Sequence, residues 1–140
     1  MFYRFEEIPA PVRRAFLDRY PEASLEDWEP KHSGIMELYF ELNDRVAQAQ
    51  FDAEGNWLGS QLQLPESAFP SFVVEFLEAL PEELLLWELS LHEVPGGPSF
   101  LILEVDEADD QPIRKFKFDT HGQLLCEWRG MVNFSRNYLN

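Results

Sequence analysis

The sequence predicts an α+β chain built as two tandem repeats, each a helix followed by about four antiparallel strands. Three observations carry this. The stretch Phe51-Asp52-Ala53-Glu54-Gly55-Asn56-Trp57-Leu58 returns as Phe118-Asp119-Thr120-His121-Gly122-Gln123-Leu124-Leu125. Two apolar helical stripes each end at a proline, Pro21 and Pro81, with Phe16 and Phe76 at matching places. A segment holding one tryptophan, Trp28 or Trp87, then follows each helix.

The repeated stretch is a turn signal. Asp at the first corner bonds the backbone ahead of it, and Gly three places on accepts positive φ. Between half-apolar extended segments, that spacing makes a tight hairpin with a Gly bulge.

The elements follow in order. Ile8-Pro9-Ala10-Pro11 sets up the first helix, with proline tolerated in its opening turn. Val12, Phe16 and Tyr20 then form its apolar face, and Pro21 stops it. The second helix carries Phe69, Phe72, Val73, Phe76, Leu77 and Leu80, with Glu75 and Glu78 facing away. Leu25–Glu29 and Leu85–His92 read as first strands, although Glu82-Glu83-Leu84-Leu85-Leu86 also fits a helix extension. Met36–Leu42 and Phe100–Val105 come next, the former alternating apolar with polar residues. Val46–Phe51 with Trp57–Leu64, and Ile113–Phe118 with Leu124–Trp128, complete the two hairpins. The predicted repeats are residues 1–64 and 65–140, joined as one compact unit. Beyond Arg129, Met131, Phe134 and Tyr138 recur at near-helical spacing.

Eleven basic against 26 acidic residues give a net charge of −15. Such a field repels phosphate backbones and anionic lipid, which argues against nucleic-acid and membrane-surface roles. No run reaches the roughly eighteen apolar residues of a membrane span. The first residues lack the apolar core of a signal peptide, so the expected location is cytoplasmic if Met1 is the native start, or periplasmic if a leader was trimmed. Cys126 is the only cysteine and allows no internal disulfide.

No residue pattern selects a reaction. Asp52-Ala53-Glu54-Gly55-Asn56 is superficially like a calcium loop, but Gln63 stands where the bidentate Glu belongs and the second copy replaces the acids. Asp106, Glu107, Asp109 and Asp110 could gather a cation or simply face solvent. His32, His92 and His121 are too dispersed for a zinc site. Cys126 reads as a small buried apolar residue. The expectation is therefore no enzyme, no metal and no cofactor. Tyr39 and Trp57 fall on the polar phase of their strands, among Glu37, Glu41, Gln48 and Gln50. Exposed Tyr and Trp anchor protein interfaces; alternatively, the other repeat or the chain ends cover them.

The chain resembles the bacterial PepSY-like proteins described as beta-lactamase-inhibitor-like, from Ile8 to about Trp128. The resemblance rests on Pro11-Val12, Phe16, Tyr20-Pro21, Ala23, Trp28 and Phe51-Asp52-x-x-Gly55-x-Trp57-Leu58, then on Phe76, Pro81, Trp87 and Phe118-Asp119-x-x-Gly122. It implies two repeats whose sheets join into one curved sheet, with helices on one face and the other face open to grip a protein. The expected function is a non-enzymatic protein-binding or inhibitor-like module of unknown partner, with Tyr39, Trp57, Glu37, Glu41, Gln48 and Gln50 as contact residues. The alternative is a small-ligand or cell-envelope sensor domain.

Overall fold

A computed structural model describes residues 5–81, 83–107 and 111–130. Its two helices are α1 (Ala10–Arg19) and α2 (Ser71–Ala79). Its strands are β1 (Ser24–Pro30), β2 (Met36–Leu42), β3 (Arg45–Phe51), β4 (Trp57–Leu64), β5 (Leu84–Glu93), β6 (Phe100–Glu107), β7 (Ile113–Asp119) and β8 (Leu124–Gly130). They follow sequence order in an antiparallel sheet. The chain divides into two units, one of residues 1–62 and 93–97, the other of residues 63–92 and 98–140. The turn 93–97 therefore groups with the first unit, where the sequence placed it in the second repeat.

In the first unit, Pro9 and Pro11 carry no N–H that the start of α1 would have to satisfy, and Val12 and Arg13 both donate to the Pro9 carbonyl at 3.0 Å. The Tyr20 N–H closes the helix on Phe16 before Pro21. Val12 and Phe16 from α1 join Trp28, Leu38, Phe40, Ala47, Ala49 and Phe51 in a buried core. Phe16 meets Phe40 edge-on with ring centres 5.0 Å apart, an arrangement that aromatic quadrupoles favour.

The second unit repeats the order of elements. Val73 of α2 packs with Leu89, Leu101, Leu103, Val105, Phe116 and Phe118. Phe76 touches Phe116 and Phe118 at 4.7 and 5.1 Å, yet it stays half-buried rather than sealed as its central place in the stripe predicts. Leu84 opens a strand, so the run before Trp87 is not a helix extension. Glu82, Asp109, Asp110, Met131, Phe134 and Tyr138 lie outside the described residues.

Local geometry recurs between the units. Asp52 accepts the N–H groups of Glu54 and Asn56 at 2.9 Å, and Asp119 accepts those of His121 and Gln123 at the same distance. These bonds, with the Asn56 side chain first for Asp52 and the Gln123 backbone first for Asp119, hold both carboxyls below their usual pKa. Gly55 and Gly122 take φ of 91° and 102°. Each turn presses on the first turn of its own helix: a Cβ on Gly55 would lie 2.6 Å from the Pro11 carbonyl oxygen, and one on Gly122 would lie 3.1 Å from the Phe72 ring.

The bulges match as well. In β1 the pairing steps from Leu25–Phe40 to Asp27–Tyr39, leaving Glu26 extra. In β5 it steps from Leu84–Glu107 to Leu86–Asp106, leaving Leu85 extra. After the turns, Leu58 and Leu125 are the extra residues. An inserted residue reverses the alternation of faces beyond it.

Candidate functional site

That reversal relocates Trp57. Counting by twos from Gln61 and Gln63 puts it on the polar face, but the bulge at Leu58 pairs it with Phe51, on the core face. There its ring packs at the edge of the apolar core, its indole N–H donates to Ser60 Oγ at 2.8 Å, and the Arg19 guanidinium lies 3.3 Å over the ring. Tyr20 also bonds Ser60 through its hydroxyl. Trp57 is thus half-buried by its own helix and is not an open-face anchor. Gly59, two residues on, is the sequence signal for the bulge, because glycine inside a strand commonly marks one.

Tyr39 does lie on the face away from α1, but only 2% of it is exposed. Its hydroxyl meets the carboxylates of Glu29, at 2.5 Å, and Glu37. Burial, then those two acceptors, drives its pKa far above that of ordinary phenols. Glu37 is fully buried, takes a 2.8 Å bond from Gln50 Nε2, and has Lys31 Nζ at 3.9 Å. Alongside runs the cross-strand row Asp27–Tyr39–Gln48–Gln61, in which Gln48 donates to Gln61 at 3.2 Å while its own buried carbonyl oxygen finds no partner among the described residues. Of the six expected contact residues, Glu41 is exposed and Gln50 is partly exposed; Glu37, Tyr39 and Gln48 are buried beneath them. Hydrophobic periodicity could not show this, because a polar phase closes through side-chain hydrogen bonds that leave no period.

The matching face of the second unit is closed in the same manner by other groups. Glu104 lies across from Lys115 with 3.5 Å between charged atoms, and burial pushes its carboxyl up to about 7 despite that lysine. Burial also raises Glu88, its neighbour on β5. His92 stacks on Phe100, bonds Ser90 at 2.9 Å, and is pushed down to about 4 by burial and then by Lys117. At the far end of the sheet Glu107 holds Arg114 and Arg129. Cys126 is exposed on β8, not buried as its size and isolation suggested; every residue from Leu124 to Arg129 is exposed.

Among the described residues no three His, Cys, Asp or Glu side chains gather as a metal would require, and no helix is long and apolar enough to cross a membrane. An antiparallel sheet with a helix at the head of each half and a hydrogen-bonded polar face is the class of protein that these features define. Solved structures share the fold. A DUF2874 family protein from Bacteroides uniformis matches with a TM-score of 0.71 at 20% identity, over 86% of this chain and 88% of that one. A BLIP-like protein from Bacteroides fragilis matches at 0.71 and 20%, over 88% and 86%. A protein with a provisional periplasmic description, from Bacteroides eggerthii, matches at 0.71 and 17%, over 86% and 88%. The likeness is one of fold: the chain has a beta-lactamase-inhibitor-like architecture. No protein-family model and no curated protein matches the sequence.

Proposed function

We propose that the chain is a non-enzymatic protein-binding or inhibitor-like module of PepSY-like type, acting through the sheet face away from its helices. One observation carries the reading: the first unit's polar face is braced from below. Glu29, Glu37, Tyr39 and Gln50 are tied together by side-chain hydrogen bonds, so Glu41 and Gln50 stand on a surface that loses little freedom when a partner arrives. The fold of the BLIP-like relative agrees with this use, and the periplasmic description of another favours the cell envelope over the cytoplasm. The recurrence of both bulges and both Asp–Gly turns supports tandem copies of one helix-plus-four-strand unit.

The test compares capture of a specific partner by wild type and variants. Glu41→Lys and Gln50→Lys should abolish capture while leaving the melting temperature in place, and Glu75→Lys on the outer side of α2 should not. If only the helix variant loses the partner, the face is misassigned. A small-ligand sensor remains the second reading, favoured by a single feature, the notch beside Trp87.

A further inference from the structure

Between α2 and β5 the second unit leaves an open notch of about 300 Å3. Phe69, Leu77, Leu84 and Trp87 form its walls, with Val74 of α2 at the side. Val74 is 41% exposed, so the apolar surface is presented to solvent rather than sealed. Two carboxylates, Glu66 and Glu78, join the lining, and among the described residues no lysine or arginine does. Trp87 is fixed in place by its indole N–H, which donates to Glu66 Oε1 at 3.1 Å.

Each class of small ligand meets this site differently. An anion would face two like charges in a protein of net charge −15. A neutral apolar molecule would gain burial alone. A molecule with an apolar body and an ammonium group would gain burial, the attraction of both carboxylates, and the pull of aromatic surface on a cation. From this we infer that the notch is a binding site for small organic amines. The inference rests on the small-ligand reading and is independent of the sheet-face reading.

The first unit holds a comparison site. Its notch, of about 340 Å3, includes Leu17, Leu25, Glu26 and Asp27. Its aromatic residues are Phe5, partly exposed, and Phe16, fully buried, and Asp27 accepts the Trp28 backbone N–H at 2.8 Å. Each notch has two carboxylates, one of them bonded to a tryptophan N–H, but the first offers no indole face, the aromatic surface that attracts a cation most strongly, so the amine selects the second unit.

Phenylbutylamine, phenylbutanol and phenylbutyrate, titrated into isotope-labelled protein near neutral pH, test this by NMR. The amine should shift the Trp87 indole N–H with the amides of Phe69, Leu77 and Leu84, and bind about ten-fold more tightly than the alcohol. The carboxylate should leave those signals in place. Glu66→Gln combined with Glu78→Gln should bring the amine down to the affinity of the alcohol without changing the alcohol's own; the glutamine oxygen keeps the acceptor for Trp87. If the alcohol binds as tightly as the amine, the notch takes small ligands but does not select charge, and the inference fails alone. If no probe moves the Trp87 indole, the small-ligand reading fails with it. Shifts centred on Glu26 and Asp27, or spread over the acidic surface and lost in salt, would also overturn the assignment.

Discussion

Each unit sets one helix against strands of the sheet, and the two close their cores differently. In the first, α1 carries four charged residues among its ten, yet Val12 and Phe16 are sealed and Trp28 is buried. In the second, α2 is the more apolar helix, yet only Val73 is sealed, while Phe76 and Trp87 stay half-buried. More apolar surface on an element therefore does not mean more burial. What differs is the fit: α1 places Phe16 against Phe40 and Tyr20, whereas Phe76 rests on Phe116 and Phe118 while Val74 and Leu77 of the same helix line an open notch. The surplus on α2 is exposed apolar surface at the edge of the notch, with Val74 41% exposed.

The largest expected effect sharpens this contrast. Phe16→Ala should cost about 3–5 kcal/mol through lost burial and the space left in the core. Phe76→Ala, already open to water on one side, should cost about 2–3 kcal/mol on the same reasoning. Denaturant midpoints measure both, and equal losses would erase the distinction between the units.

Next comes pH, a response rooted in the second unit. His92 titrates at about 4 when folded, against an ordinary 6.5, so on acidification the unfolded chain takes this proton first. Its contribution to stability is complete above pH 6.5 and falls as the pH drops through 4, by up to about 3 kcal/mol. Glu104 has the opposite sign. Its folded carboxyl, at about 7 against 4.5, protonates first on acidification, so its contribution grows as the pH falls through that window. The two slopes oppose each other. Glu104→Gln should therefore make stability fall more steeply between neutral and acid pH than in wild type, and His92→Gln should make it fall less. Parallel unfolding curves for all three proteins would show that neither group titrates as its burial requires.

The smallest effect separates the two turns. Alanine at Gly55 must adopt positive φ and push the Pro11 carbonyl, and should cost about 2 kcal/mol or more. Alanine at Gly122 pays the same φ penalty but meets only the Phe72 ring, which can yield, so about 1 kcal/mol is expected. Thermal melts resolve the two, and a reversed order would mean that the second turn is the tighter.

Strand and helix positions were legible because each rests on a local signal: the prolines after Tyr20 and Leu80, the Asp–Gly spacing, the alternation in Met36–Leu42. Which face a side chain takes was legible only between bulges. Trp57 was placed on the wrong face by one uncounted residue, Leu58. Tyr39 was placed on the right face but not at the right depth, since its burial depends on Glu29, ten positions away and brought near only by strand pairing. Cys126 failed for a related reason: its strand, β8, pairs with β7 alone among the described residues and leaves small side chains in the open. The notch beside Trp87 has no linear signature, because Glu66, Glu78 and Trp87 meet only once α2 lies on β5.

The contact between Gly55 and Pro11 also bears on how the chain is made. On the ribosome α1 emerges before the strands that cover it, and a ten-residue helix is marginal alone in water. The turn that abuts its opening residues arrives only after β1, β2 and β3 have emerged, and the closure is non-local, which slows the search for the native arrangement. During that interval the Phe16 side of α1 has no strand to cover it. In a nascent chain, that is the interval in which its apolar face is open to chaperones and to other chains.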